Sequence, residues 1–132
     1  GAEDGCGFLT EEGRCGIHPF RPGICRLFPL GRYYEENGFR YFLQVHECQK
    51  ENRAKVKVKK WLDTPDLKKY ETYIARWHGL LIQLQEYIAA HPESAKAVSM
   101  DVLKRFYLTP YQTEEFYSEF FQRMDEAKKA YC

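Results

Sequence analysis

The chain has 132 residues, 44% hydrophobic and 30% charged, which suffices to bury one core and falls within the size range of a single domain. Twenty basic and nineteen acidic side chains leave a formal charge of +1, so no global field draws the protein to nucleic acid or to an anionic membrane, and such a partner would need a local patch. No apolar run reaches the roughly 18 to 20 residues that span a bilayer and no basic-then-apolar leader opens the sequence, so a soluble, cytoplasmic protein is expected. The opening Gly1-Ala2-Glu3-Asp4-Gly5 has no initiator Met, as in a processed or trimmed chain.

Residues 1–30 are rich in Gly, Pro and Cys and have neither a helical nor an alternating period, so something other than an apolar face must fix their shape. From residue 30 to 46 the character changes: Arg32-Tyr33-Tyr34-Glu35 and Phe39-Arg40-Tyr41-Phe42-Leu43-Gln44-Val45 flank Asn37-Gly38, which predicts a β-hairpin with a tight turn. Lys55-Val56-Lys57-Val58-Lys59-Lys60 alternates as well and predicts a short edge strand protected by lysines. From Thr64 and Pro65 onward Leu67, Tyr70, Ile74, Trp77, Leu81, Leu84 and Ile88 recur at helical steps, with Thr64 as the expected cap. That helix should stop by His91, because the residue before Pro92 is pushed out of the α region. A second helix is expected after Pro92 or from a Ser99 cap, carrying Val102, Leu103, Phe106 and Tyr107. A third should start near Pro110 or Thr113 and turn Phe116, Phe120, Phe121, Met124 and Ala127 to the core. Ten Tyr, nine Phe and two Trp predict a core built largely from rings.

Four of the five cysteines, Cys6, Cys15, Cys25 and Cys48, lie in the first 48 residues, and Cys132 ends the chain. Their spacing lacks the C-x-x-C knuckles of zinc ribbons, so three readings stay open. A disulfide framework suits an extracellular domain. Buried free thiols pack as small hydrophobes. Metal ligation would let an irregular head hold one shape, because thiolate coordination supplies folding free energy.

The words around these cysteines carry more. Cys6-Gly7-Phe8-Leu9, then Cys15-Gly16-Ile17-His18, then Arg21-Pro22-Gly23-Ile24-Cys25-Arg26-Leu27-Phe28-Pro29 resemble, in this order, the C-x-F-L, C-x-I-(Tyr or His) and R-P-x-x-C-R-x-F-P segments of the YkgJ-type cysteine-cluster family of zinc- or iron-chelating domains. The resemblance covers about the first thirty residues closely and Leu30-Gly31-Arg32-Tyr33 and Cys48 more loosely. It implies that Cys6, Cys15 and Cys25 belong to a metal-thiolate set with Cys48 as a further member, and that the cofactor is zinc, iron or an iron-sulfur cluster. Family members also carry a C-x-x-x-C-C cluster ahead of C-x-F-L, and none precedes Cys6 here.

Beside the thiols, His18 and His46 are candidate ligands, and the guanidinium groups of Arg21 and Arg26 would either steady a thiolate or bind backbone carbonyls. His78 and His91 read as solvent-facing or capping. Lys55–Lys60 with Trp61 is the one basic patch, read first as a solvated edge and second as a phosphate-contacting surface with a stacking ring. No P-loop, dinucleotide fingerprint, H-E-x-x-H or nucleophile elbow occurs. The sequence therefore predicts a single α+β domain over 1–132, with a cysteine-cluster region and hairpin in 1–50 packed on a scaffold of about three helices in 64–131. The expected partner is a metal ion, with neither nucleic acid nor membrane, and with a protein partner or dimer left open. Flagellin lysine methylases resemble the same family, so an accessory part of a protein-modifying enzyme is one alternative. An interaction module with a purely structural metal is another.

Overall fold

The computed structural model of the protein describes residues 5–48, 50–51 and 54–132. Two compact units make it up, one of residues up to Tyr34 with Arg40–Asp63, the other of Glu35–Phe39 with Thr64–Cys132. The fold class is α+β, as the sequence predicts: a short hairpin together with helices.

A 3-10 turn at His18–Phe20 leads into the short helix α1 (Gly23–Leu27), which is followed by strand β1 (Leu30–Glu35), strand β2 (Gly38–Leu43) and helix α2 (Val58–Leu62), all in the first unit save the hairpin tip Glu35–Phe39. The strands pair as the predicted hairpin, but the connection is Glu36-Asn37, and Gly38 already opens β2 at φ +145°. Only glycine adopts that backbone without strain. At Gly31 a Cβ would meet Phe42 Cε1 at 2.6 Å, so a side chain there would push the half-exposed Phe42 ring aside. Arg40 stands 5.1 Å over the Tyr33 ring, and Gln44 extends the pairing by donating its N–H to Pro29 O at 3.0 Å and its side-chain amide to Leu30 O at 3.2 Å.

The lysine run is not an edge strand. Residues 54–57 are irregular and Val58–Leu62 is helical. Val58 and Leu62 are one turn apart, and Leu62 is 1% exposed, so burial of a helical i, i+4 pair wins over a two-valine alternation too short to fix a strand register. The turn also satisfies its own backbone, with Trp61 N–H on Lys57 O at 3.0 Å and Asp63 N–H on Lys59 O at 3.2 Å; an edge strand would have left half of its groups unpaired.

The second unit holds α3 (Leu67–Ala90), α4 (Ala95–Leu103) and α5 (Phe116–Tyr131). The cap of α3 is Asp66 rather than Thr64: its Oδ1 accepts from Lys69 N–H at 3.2 Å, in line with the stronger capping of a carboxylate. The helix ends at Ala90 as expected, where His91 donates its N–H to Tyr87 O at 2.9 Å and stacks on the Tyr87 ring at 4.5 Å. A 3-10 turn at Pro92–Ser94 starts α4, so the Pro92 start is the one adopted, and the chain leaves α4 through a π-turn at Lys104–Leu108 that contains Phe106. The third helix begins later than expected because residues 112–115 are held as a cap: Glu119 Oε2 accepts from the N–H groups of Gln112 at 2.8 Å and Thr113 at 3.0 Å and from the Thr113 hydroxyl at 3.2 Å. Leu80, Leu84, Val98, Phe106, Phe120, Met124 and Ala127 form the core. Phe120 sits at its centre, with ring centroids 4.8 Å from Tyr73, 5.2 Å from Trp77 and 5.1 Å from Phe106. Phe121 is half-buried, while Phe116, expected to face inward, stays 38% exposed and packs edge-on against Tyr73.

Candidate metal centre

The first thiols sit on a small ribbon. Leu9 and Cys15 form an antiparallel bridge, with Gly16 N–H on Phe8 O at 2.8 Å and Thr10 N–H on Arg14 O at 2.7 Å. Gly13 closes the loop between them at φ +72°, the left-handed turn that its lack of a Cβ permits. Cys6 begins the ribbon, its carbonyl accepting from Leu9 N–H at 3.1 Å. Cys25 is carried by α1, where its N–H donates to Pro22 O at 2.9 Å. Cys48 follows the turn at 45–47. All four are free thiols; Cys6 and Cys25 are exposed, and Cys15 and Cys48 are half-buried. Cys132 is free and exposed at the end of α5.

The remaining candidates have definite places. Arg21 Nη1 contacts both ring nitrogens of His18, at 3.1 Å to Nδ1. Both contacts involve the one Nη1 atom, which makes His18 and Arg21 neighbours at the 3-10 turn. Arg26 binds carbonyls: its Nη1 donates to Asp63 O at 2.8 Å and its Nη2 to Pro19 O at 3.4 Å, which ties α1 to the end of α2 and to the 3-10 turn. His46 lies exposed in the turn before Cys48. Among the described residues, no three His, Cys, Asp or Glu side chains converge closely enough to hold one metal ion. The four thiols are thus not joined to one another and, among the described residues, do not form a preassembled tetrahedral set, and no chemical step through a metal follows from this geometry.

The densest polar cluster lies elsewhere, and the sequence reading passed it by. Arg123, 8% exposed on α5, donates to the carbonyls of Arg105 at 2.6 Å, Thr109 at 2.8 Å and Pro110 at 2.7 Å and to Glu119 Oε1 at 2.6 Å. Its guanidinium also lies 3.9 Å over the Tyr111 ring. Burial pushes the Glu119 carboxyl up, but the hydrogen bonds from Arg123, Thr113 and Gln112 outweigh it and hold that carboxyl below the usual carboxylate range. The available signal was the i, i+4 spacing of acid and base on the face that also carries Phe120 and Ala127. The chemistry of this cluster is that of a clamp, because Arg123 is spent on three carbonyls of the π-turn and its exit and on the Glu119 carboxylate, which in turn holds Gln112 and Thr113.

No family model matches the chain, and no curated protein or solved structure matches it either.

Proposed function

We propose that this chain is a metal-binding cysteine-cluster protein that takes up zinc, iron or an iron-sulfur cluster through Cys6, Cys15, Cys25 and Cys48. The observation that carries the reading is the pairing of four free thiols, two exposed and two half-buried, with a unit whose buried apolar side chains, among the described residues, are Leu27 and Leu62. So little apolar burial does not by itself specify a loop-rich shape, and small units of this kind commonly rely on a metal or disulfides. The three cysteine words that resemble the YkgJ family support the same reading. Neutral thiols have no mutual attraction, so sulfur atoms gather only when deprotonated around a cation, and binding then couples to folding of the loops that carry them. Thiolate sulfur ligands suit zinc and iron-sulfur clusters alike. Free thiols also fit a reducing compartment such as the cytoplasm.

Elemental analysis and an ultraviolet-visible spectrum of protein purified without oxygen test the proposal. Iron with brown absorbance indicates a cluster, zinc without colour a structural or Lewis-acid site, and absence of metal overturns the reading. Cys25→Ser should lower both metal content and melting temperature; full metal content at an unchanged melting temperature removes Cys25 from the ligand set.

A further inference from the structure

The formal charge of +1 conceals a division. The first unit carries eleven basic and seven acidic side chains, a net of four positive charges, whereas the second carries nine basic and twelve acidic, a net of three negative. Within the first unit the charge adjoins an uncovered apolar surface. Phe20 is 85% exposed, Ile24 77%, Phe28 47% and Trp61 43%. The hydrogen bond from Phe28 N–H to Ile24 O at 3.2 Å places Phe28, the C-cap of α1, one turn beyond Ile24. The Trp61 indole N–H donates to Phe28 O at 3.1 Å, so its polar atom is already satisfied inside the protein while its ring faces solvent. Because Leu62 is buried and Val58 half-buried on α2, the intervening Lys59, Lys60 and Trp61 turn outward, next to exposed Lys55 and Lys57.

We propose that this face of α1 and α2 docks on an anionic lipid surface, with Phe20, Ile24, Phe28 and Trp61 entering the headgroup layer and Lys57, Lys59 and Lys60 meeting acidic headgroups. Apolar side chains rimmed by lysines match an interface that is apolar below and negatively charged above, and an indole ring is well suited to its boundary. Two rival occupants fit less well. A single-stranded nucleic acid needs successive stacking faces, and Ile24 has none. A second copy meeting this face across a two-fold axis would bring together two copies of the same lysine-rich surface, like charge towards like. No helix among the described residues is long and apolar enough to cross a membrane, so the contact is with a surface and involves no span. It uses no cysteine and stands apart from the metal reading.

The test is co-sedimentation of the whole chain with vesicles of phosphatidylcholine alone and with vesicles of phosphatidylcholine and phosphatidylserine in a three-to-one ratio. Binding is expected to the serine-containing vesicles only, to weaken as salt is raised, and to shift the tryptophan emission to the blue in a way that Trp61→Phe abolishes. The triple variant Lys57→Glu, Lys59→Glu, Lys60→Glu should bind about tenfold more weakly or worse. Ile24→Ser, at a side chain the fold does not bury, should weaken binding with an unchanged circular dichroism spectrum. Absence of binding to either vesicle, equal binding to both, or binding only to an oligonucleotide would overturn the proposal, as would a wild-type dimer in which this face is protected.

Discussion

The two units solve the problem of holding a shape in different ways. The helical unit buries Phe120 and six further apolar side chains in one cluster and fixes its π-turn with a buried guanidinium. The cysteine-bearing unit buries Leu27 and Leu62 among its described residues and leaves Phe8, Leu9, Phe20 and Ile24 more than half exposed. It is joined largely by hydrogen bonds to backbone carbonyls, such as those of Arg26 to Asp63 and Pro19 and of Trp61 to Phe28. Apolar burial contributes about 1.5–3 kcal/mol for each fully buried large side chain, whereas a solvent-accessible hydrogen bond contributes about 1 kcal/mol net. Stability should therefore be concentrated in the second unit, and function in the first, where side chains remain available.

The sharpest way to break that comparison is at Phe120. Removing a ring that touches Tyr73, Trp77 and Phe106 leaves a large cavity between helices, and Phe120→Ala should cost about 4 kcal/mol, read as a lowered urea midpoint in far-ultraviolet circular dichroism. A loss below roughly 1 kcal/mol would mean that the rings do not form one packed core. Arg123→Met comes next. It strands the carbonyls of Arg105, Thr109 and Pro110 and leaves the half-buried Glu119 carboxylate without its cation, at a cost of about 3 kcal/mol. Hydrogen exchange should quicken first at residues 104–113, and exchange unchanged there would show that the clamp is dispensable.

What the sequence disclosed differs between the same two regions. In the helical unit the period of Leu67 through Ile88 is long enough to identify α3, and Pro92 to mark where α3 stops. The π-turn at Lys104–Leu108 was hidden, since it arises from the carbonyl bonds of Arg123, eighteen and fewer residues away along the chain. The Asn37-Gly38 pair discloses the hairpin within one residue, but the Lys55–Lys60 alternation misleads, because its strand period competes with the helical spacing of half-buried Val58 and buried Leu62, whose weight depends on what Leu62 meets. For the site, the cysteine words name the thiols, yet spacing along a chain says nothing of whether sulfur atoms converge, and the loops that carry them have no periodicity to read.

A smaller effect sharpens the comparison from the other side. Leu62 is as deeply buried as the core residues, at 1% exposed, but it stands on the five-residue α2, in a unit whose other buried apolar side chain among the described residues is Leu27. Leu62→Ala should therefore cost about 2 kcal/mol, near the low end for such truncations. Amide exchange should quicken in α1 and α2 while α3 to α5 keep their protection. Equal loss of protection in α3 to α5 would show that the two units do not differ in the way their packing implies.

The smallest effect appears only in alkali. Burial, reinforced by the neighbouring Tyr107, Tyr111, Tyr70 and Tyr117, pushes the Tyr73 phenol up from 10.0 to about 12. The folded state thus keeps a proton that the unfolded chain releases, so the contribution of Tyr73 is constant below pH 10 and is lost as pH rises from 10 towards 12. Tyr111, Tyr117 and Tyr131 are raised in the same direction by burial, so several phenols should add to one alkaline decline in the stability of the helical unit. Tyr73→Phe should flatten part of that decline while leaving stability near pH 7 within about 1 kcal/mol of the parent. A midpoint measured against pH that falls equally steeply in the variant would mean that the Tyr73 ring is wetter than its place among Phe116, Tyr117 and Phe120 implies.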